Sequence, residues 1–288
     1  MGIAAASSPW GYHMHPDVWV LVAALIGGYW WMCRGERARN AGNPLAEEPT
    51  TRRQRGIFGA GVLMLWLGAD WPIHDVAEGS LYSAHMIQHM LFTFGAAPLL
   101  LLGTPAWMLR RLIRPAPLGR IVRTMSRPLP AIIFFNTALV FTHWPAIVTA
   151  SVGSEWVHLS LHVLIMASAF AMWMPVASPV MEIPRLTYPG QMIYLFLQSL
   201  VPTVPASFLT FGTTPLYAVY VDMPKLWGIS PMTDQLSAGL IMKIAGGFIL
   251  WGVIAALFFK WYTIEHSEGI DVLAMSKLDR ELNRGTIR

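Results

Sequence analysis

Seven stretches of this chain, near residues 17–33, 56–73, 84–108, 129–148, 156–176, 189–211 and 235–259, are apolar over a length that suits a bilayer. A membrane-crossing helix needs about 20 predominantly apolar residues. Helix is the only regular state open to them, because lipid cannot satisfy an open strand edge and the runs are too long for barrel strands. Only 12% of the residues are charged, against roughly 25% in soluble domains. The expected fold is an all-α polytopic membrane protein with seven transmembrane helices. Residues 17–260 form its membrane domain, between an N-terminal tail at 1–16 and a solvated C-terminal tail at 261–288 with a short helical pattern near 272–282.

Arginine sets the expected orientation. The first loop carries Arg34, Arg37, Arg39, Arg52, Arg53 and Arg55, and the third carries Arg110, Arg111, Arg114, Arg120, Arg123 and Arg127. Arg185 lies in the fifth, whereas the intervening loops contribute only Lys225. By the positive-inside rule the N-terminus lies outside and the C-terminus in the cytoplasm. The first sixteen residues hold no Lys or Arg and lack the basic start of a cleavable signal peptide. The net charge of +4, gathered in these loops, reads as topology rather than nucleic-acid binding. A single cysteine, Cys33, excludes disulfides and thiolate metal cages within one chain.

With the spans placed, the histidines form a pattern. His85 and His89 open the third span and His158 and His162 open the fifth, each pair four residues apart and so on one helix face. His74 ends the second span, His143 ends the fourth, and His13 and His15 lie in the outer tail. Eight of nine histidines thus fall at or beyond the outer boundary, leaving only His266 inside. One such residue could be an interhelical hydrogen-bond donor or an interfacial side chain. Two pairs at one depth, with two more rings beside them, point instead to a metal or haem site. Imidazole suits several transition metals, and methionines beside the histidines (Met14, Met86, Met90) tilt the choice to copper. Met86 and Met90 are each one residue on from a histidine, about 100° round the helix, and suit packing equally well.

Metal-bound imidazoles usually need carboxylates behind them. Asp70, Asp75, Glu78, Glu155 and Asp234 fall near the same boundary, with Asp70 and Asp234 the most embedded. Glu155 and Asp234 suit helix caps equally well. Lys243, well inside the last span, marks either a proton or ion path or a tether to backbone carbonyls. No phosphate-binding glycine loop, nucleophile elbow or HExxH occurs, so hydrolytic chemistry has no support and a non-enzymatic role is expected.

The segments DWPIHDVAEGSLYSAHMIQHM, AAPLLLLGTPAW, FTHWP, EWVHLSLH and SPMTDQLSAGLIM resemble the CtaG family of bacterial cytochrome c oxidase assembly factors, the polytopic type rather than the single-span, cysteine-dependent copper chaperone. The resemblance runs from about residue 56 to 260, with His85 and His89 in its characteristic motif and His74, His143, His158 and His162 in the other shared segments. It implies a multi-pass protein of the bacterial inner membrane that supports maturation of a haem-copper oxidase through copper handling. Its partners would be oxidase subunits, the lipid bilayer and periplasmic copper chaperones, with no nucleic acid. On this reading His85, His89, His158 and His162 hold copper at the periplasmic helix ends. His74 and His143 complete or relay the site, and Asp70 or Asp234 orients an imidazole. His13 and His15 lie outside the resemblance and suggest a flexible copper-catching arm. A haem-binding redox protein and a copper or proton transporter remain the alternatives.

Overall fold

The computed structural model describes residues 13–43 and 48–285, with side chains through residue 266. Every regular element among the described residues is helical. Six helices are long and apolar enough to cross a membrane: Pro16–Asn40, Arg52–Gly79, Tyr82–Gly103, Glu155–Ala177, Tyr188–Phe211 and Pro231–His266. A seventh crossing is obtained if Pro128–Thr142 and Pro145–Gly153, bent by 67°, count as one.

That bend departs from the continuous fourth span expected over 129–148. Trp144 precedes Pro145 and is extended, at φ −70° and ψ 132°, since the proline ring crowds its neighbour out of the helical region. The chain turns at His143 and restarts with Pro145 in its first turn. Proline also breaks the second span. Helix Arg52–Ala69 ends before Asp70, and a short helix, Ile73–Gly79, follows Pro72. The expected end at residue 73 therefore missed six residues of helix, and the short helix carries His74 and Glu78 on one face.

Small residues let the second and third spans approach closely, as membrane helix interfaces commonly require. A Cβ on Gly61 would come within 2.8 Å of Leu100 N, and one on Gly103 would collide with the backbone of Phe58. The main apolar core joins the other spans through Met86, Phe135, Ile165, Leu195, Leu209 and Leu250.

Helix Tyr82–Met90 has no cap from its own sequence. Its first amides are met by Asp234 of the last span, which accepts from Tyr82 N at 2.7 Å, Ser83 N at 3.0 Å and Ser83 Oγ at 2.5 Å. A carboxylate there satisfies orphan donors and faces the positive end of the helix dipole. The last helix continues from Pro231 to Gly285, with one π-helical turn at Ile241–Ala245. Helix thus covers the tail region where only a short pattern near 272–282 was expected. Lys243 sits in that π turn with its side chain on the exposed outer face.

Candidate metal centre

Four helix ends bring their histidines together. The short helix after Pro72 supplies His74, the start of the third span His85 and His89, the break in the fourth His143, and the start of Glu155–Ala177 His158 and His162. Ring centroids form a continuous chain: His74 to His158 at 5.7 Å, His158 to His162 at 4.1 Å, His162 to His89 at 5.9 Å and His89 to His143 at 5.4 Å. His85 lies 6.1 Å from both His158 and His162 and 4.3 Å from His89. The two four-residue pairs therefore meet across the bundle. Two sets have ligand atoms all within 4.8 Å of one another: His85, His89 and His162, and His74, Glu78 and His158. All of these but His74 line a cleft of about 100 Å³.

The hydrogen bonds decide which nitrogens are free. His143 Nδ1 lies 2.7 Å from the Leu139 carbonyl. A carbonyl only accepts, so the proton is on Nδ1 and Nε2 keeps its lone pair. That Nε2, His85 Nδ1 and His162 Nε2 are buried without a hydrogen-bond partner among the described residues. Each such atom costs roughly 1–3 kcal/mol, and buried polar groups are as a rule satisfied. Imidazole nitrogens left without a partner in one cluster are able to ligate a metal ion.

His74 is a different case. Gln88, fully buried, donates from Nε2 to Gly68 O at 2.8 Å and to His74 Nδ1 at 3.1 Å. The Gly68 carbonyl fixes which end of the amide faces it, so His74 Nδ1 accepts and its proton lies on Nε2, 3.4 Å from Glu78. His74 thereby holds the carboxylate, while His158 offers Nε2 to Glu78 at 2.7 Å and sets its Nδ1 3.0 Å from Ser151 Oγ.

The backbone around the inner rings is anchored. Thr93 Oγ1 donates to His89 O at 2.6 Å, and Trp173 Nε1 donates to Thr93 O at 2.7 Å, both through Thr93 of the π-helical turn Leu91–Ala96 that begins just after the histidine pair. Such single turns often mark functional positions. Tyr217 donates its hydroxyl to His143 O at 2.9 Å. Burial pushes that phenol up to about 12, so it remains a donor at neutral pH.

The carboxylates are not the two expected. Asp70 accepts from Trp66 Nε1 and from Trp71 N, each at 2.9 Å, and Asp234 caps the third span. Glu78 and Asp75 reach the imidazoles instead. Asp75 lies 2.8 Å from His15 Nε2 and 3.4 Å from His13 Nδ1. The expected arm is docked at these two residues, with the His15 ring 4.6 Å from that of His74; residues 1–12 of the expected tail lie outside the described residues. The four-residue spacing of His74 and Glu78 carries a signal for this face, but both lie beyond the expected end of the second span at residue 73. Met86 is wholly buried in the apolar core and Met90 lies against Gly246, the packing roles that their positions allow.

A family model described as cytochrome c oxidase caa3 assembly factor matches residues 27–263, most of the chain. No curated protein and no solved structure matches it.

Proposed function

Because this chain belongs to the cytochrome c oxidase caa3 assembly factor family, we propose that it binds copper through His85, His89 and His162, with His143 beside them, and delivers it to a haem-copper oxidase. The observation that carries this reading is the convergence of His85, His89 and His162, whose ligand atoms lie within 4.8 Å of one another, with His85 Nδ1 and His162 Nε2 left without a hydrogen-bond partner. Imidazoles without thiolates suit copper among several metals, and the oxidase that the family serves gives copper a destination. The role is that of a non-catalytic carrier.

The loops at the histidine end contribute Lys225 alone, whereas the other end holds the arginine clusters. The positive-inside rule then puts the site on the periplasmic face of a bacterial inner membrane, the N-terminus outside and the C-terminus in the cytoplasm. Copper would arrive there, from solution or from a periplasmic chaperone, and leave towards an oxidase subunit within the membrane.

The size of the cleft supports a metal ion over haem. About 100 Å³ accommodates an ion and a few waters, well below the ~300–1,000 Å³ of pockets for larger ligands. Metal analysis and the absorption spectrum of the detergent-purified chain test the proposal. Copper retained through desalting, with no Soret band, is expected. A chain that cannot hold copper ends this reading.

A further inference from the structure

The histidine cluster has two parts of different character. The inner one, His85, His89 and His162 with His143 alongside, offers imidazoles and no carboxylate, and His89 is only 5% exposed. The outer one is at the mouth. There the Glu78 side chain, 41% exposed, lies 2.7 Å from Nε2 of His158. Because Gln88 fixes the His74 proton on Nε2, that ring holds Glu78 and is not itself free to ligate. The outer position therefore has two ligands, a Glu78 oxygen and His158 Nε2, whose contact with each other an arriving ion replaces as it displaces the proton between them, and it leaves coordination places for water or for a donor's own ligands. A metal site with open positions exchanges its ion, whereas a closed one keeps it.

Resting on the copper reading above, we propose that Glu78 and His158 form a loading station, which takes an incoming copper ion at the mouth and hands it to the inner histidines, with His74 as the positioning residue for Glu78. The geometry supplies the route. His158 and His162 lie one helical turn apart, their rings 4.1 Å from each other, and His85 is 6.1 Å from both. An ion on His158 can therefore gain inner ligands before it loses its outer ones. Glu78 carries the chemistry of arrival: an anion at an exposed mouth attracts the cation, and an oxygen ligand binds soft copper less firmly than imidazole does, so the ion moves inward. No electron transfer is required, and the proton that His158 Nε2 holds towards Glu78 leaves to solvent at the mouth as the ion binds.

The test separates rate from retention. The full-length chain in detergent is given copper(I) as its bicinchoninate complex, whose colour fades as the protein takes the ion, and retained copper is measured after desalting. Glu78→Gln is expected to retain as much copper as the wild type but to load about tenfold more slowly, the order of effect seen when groups around a metal site are lost. Glu155→Gln, which removes a second carboxylate lining the same cleft, is expected to slow loading clearly less than Glu78→Gln does. Loading of Glu78→Gln at the wild-type rate overturns the proposal. So does loss of retained copper in that variant, which would make Glu78 a ligand of the final site. Equal slowing by Glu155→Gln also overturns it, by reducing the effect to general attraction. If Glu78→Gln does not fold, Glu78→Asp must load at an intermediate rate with full retention, and wild-type loading by it counts against the station. Failure confined to the Glu78 variants sinks this inference alone, whereas a wild-type chain that retains no copper sinks the copper reading first.

Discussion

The carboxylate of Asp234 accepts from the Tyr82 amide at 2.7 Å although 152 residues separate them. The last span thereby caps the helix that presents His85 and His89, and the position of that pair depends on a residue which touches neither ring. Asp234→Ala leaves the Tyr82 and Ser83 amides without their acceptor and is expected to cost about 1–3 kcal/mol. Asp234→Asn, which can still accept, is expected to cost less. Thermal unfolding of the detergent-solubilised variants measures both.

Copper retention should divide the histidines by place. His89→Ala and His162→Ala remove inner ligands and are expected to abolish retained copper. His143→Ala, whose ring lies 5.4 Å from His89 at the edge of the set, is expected to weaken retention without abolishing it. Equal retention in His89→Ala and the wild type would count against the inner site.

Asp70 supplies a contrasting control. It is buried, but it holds Trp66 and the Trp71 amide. Asp70→Asn should lower the melting temperature while leaving the copper content of the folded fraction unchanged. Loss of copper in a folded Asp70→Asn chain would return this carboxylate to the site.

Gly61 tests the close approach of the second and third spans. A side chain there meets Leu100 N at 2.8 Å, so Gly61→Leu must push the spans apart. Overpacking of this kind costs typically about 1–3 kcal/mol. Because Leu100 belongs to the helix that begins with His85 and His89, loosened copper retention should accompany the lower melting temperature.

Orientation can be read with single cysteines. Cys33, the one native thiol, is 6% exposed and can be replaced by serine. Trp156, 80% exposed beside the histidine end, and Leu118, 44% exposed between the arginines, are suitable positions for a new thiol. A membrane-impermeant maleimide added to intact cells should label Trp156→Cys and spare Leu118→Cys. The reverse pattern would move the metal site to the cytoplasmic face.

Much of this molecule was legible from local pattern. Apolar length alone gives the helical crossings, because a bilayer leaves the backbone no other way to satisfy its amides. The four-residue spacing places His85 with His89 and His158 with His162, since helical period is a property of neighbours. Proline was the main source of local error. Pro72 and Pro145 were visible, but the directions in which the chain restarts after them depend on what the new segments pack against. Six residues of helix after 73 and the 67° bend were missed for that reason.

Tertiary structure alone decided which carboxylate serves which group. Asp70 and Asp234 looked embedded, yet one holds indole and backbone N–H groups and the other caps a distant helix. Glu78 reaches His158 across 80 positions, and Gln88 sets the tautomer of His74 while holding the carbonyl of Gly68. A hydrogen bond depends on tenths of an ångström and on the competing partners of each atom, and neither is encoded by spacing along one helix. The sequence by itself therefore determined a helical membrane protein with its histidines gathered at one end. Only the packed chain decided which nitrogens are left free, because that follows from partners brought together by the fold.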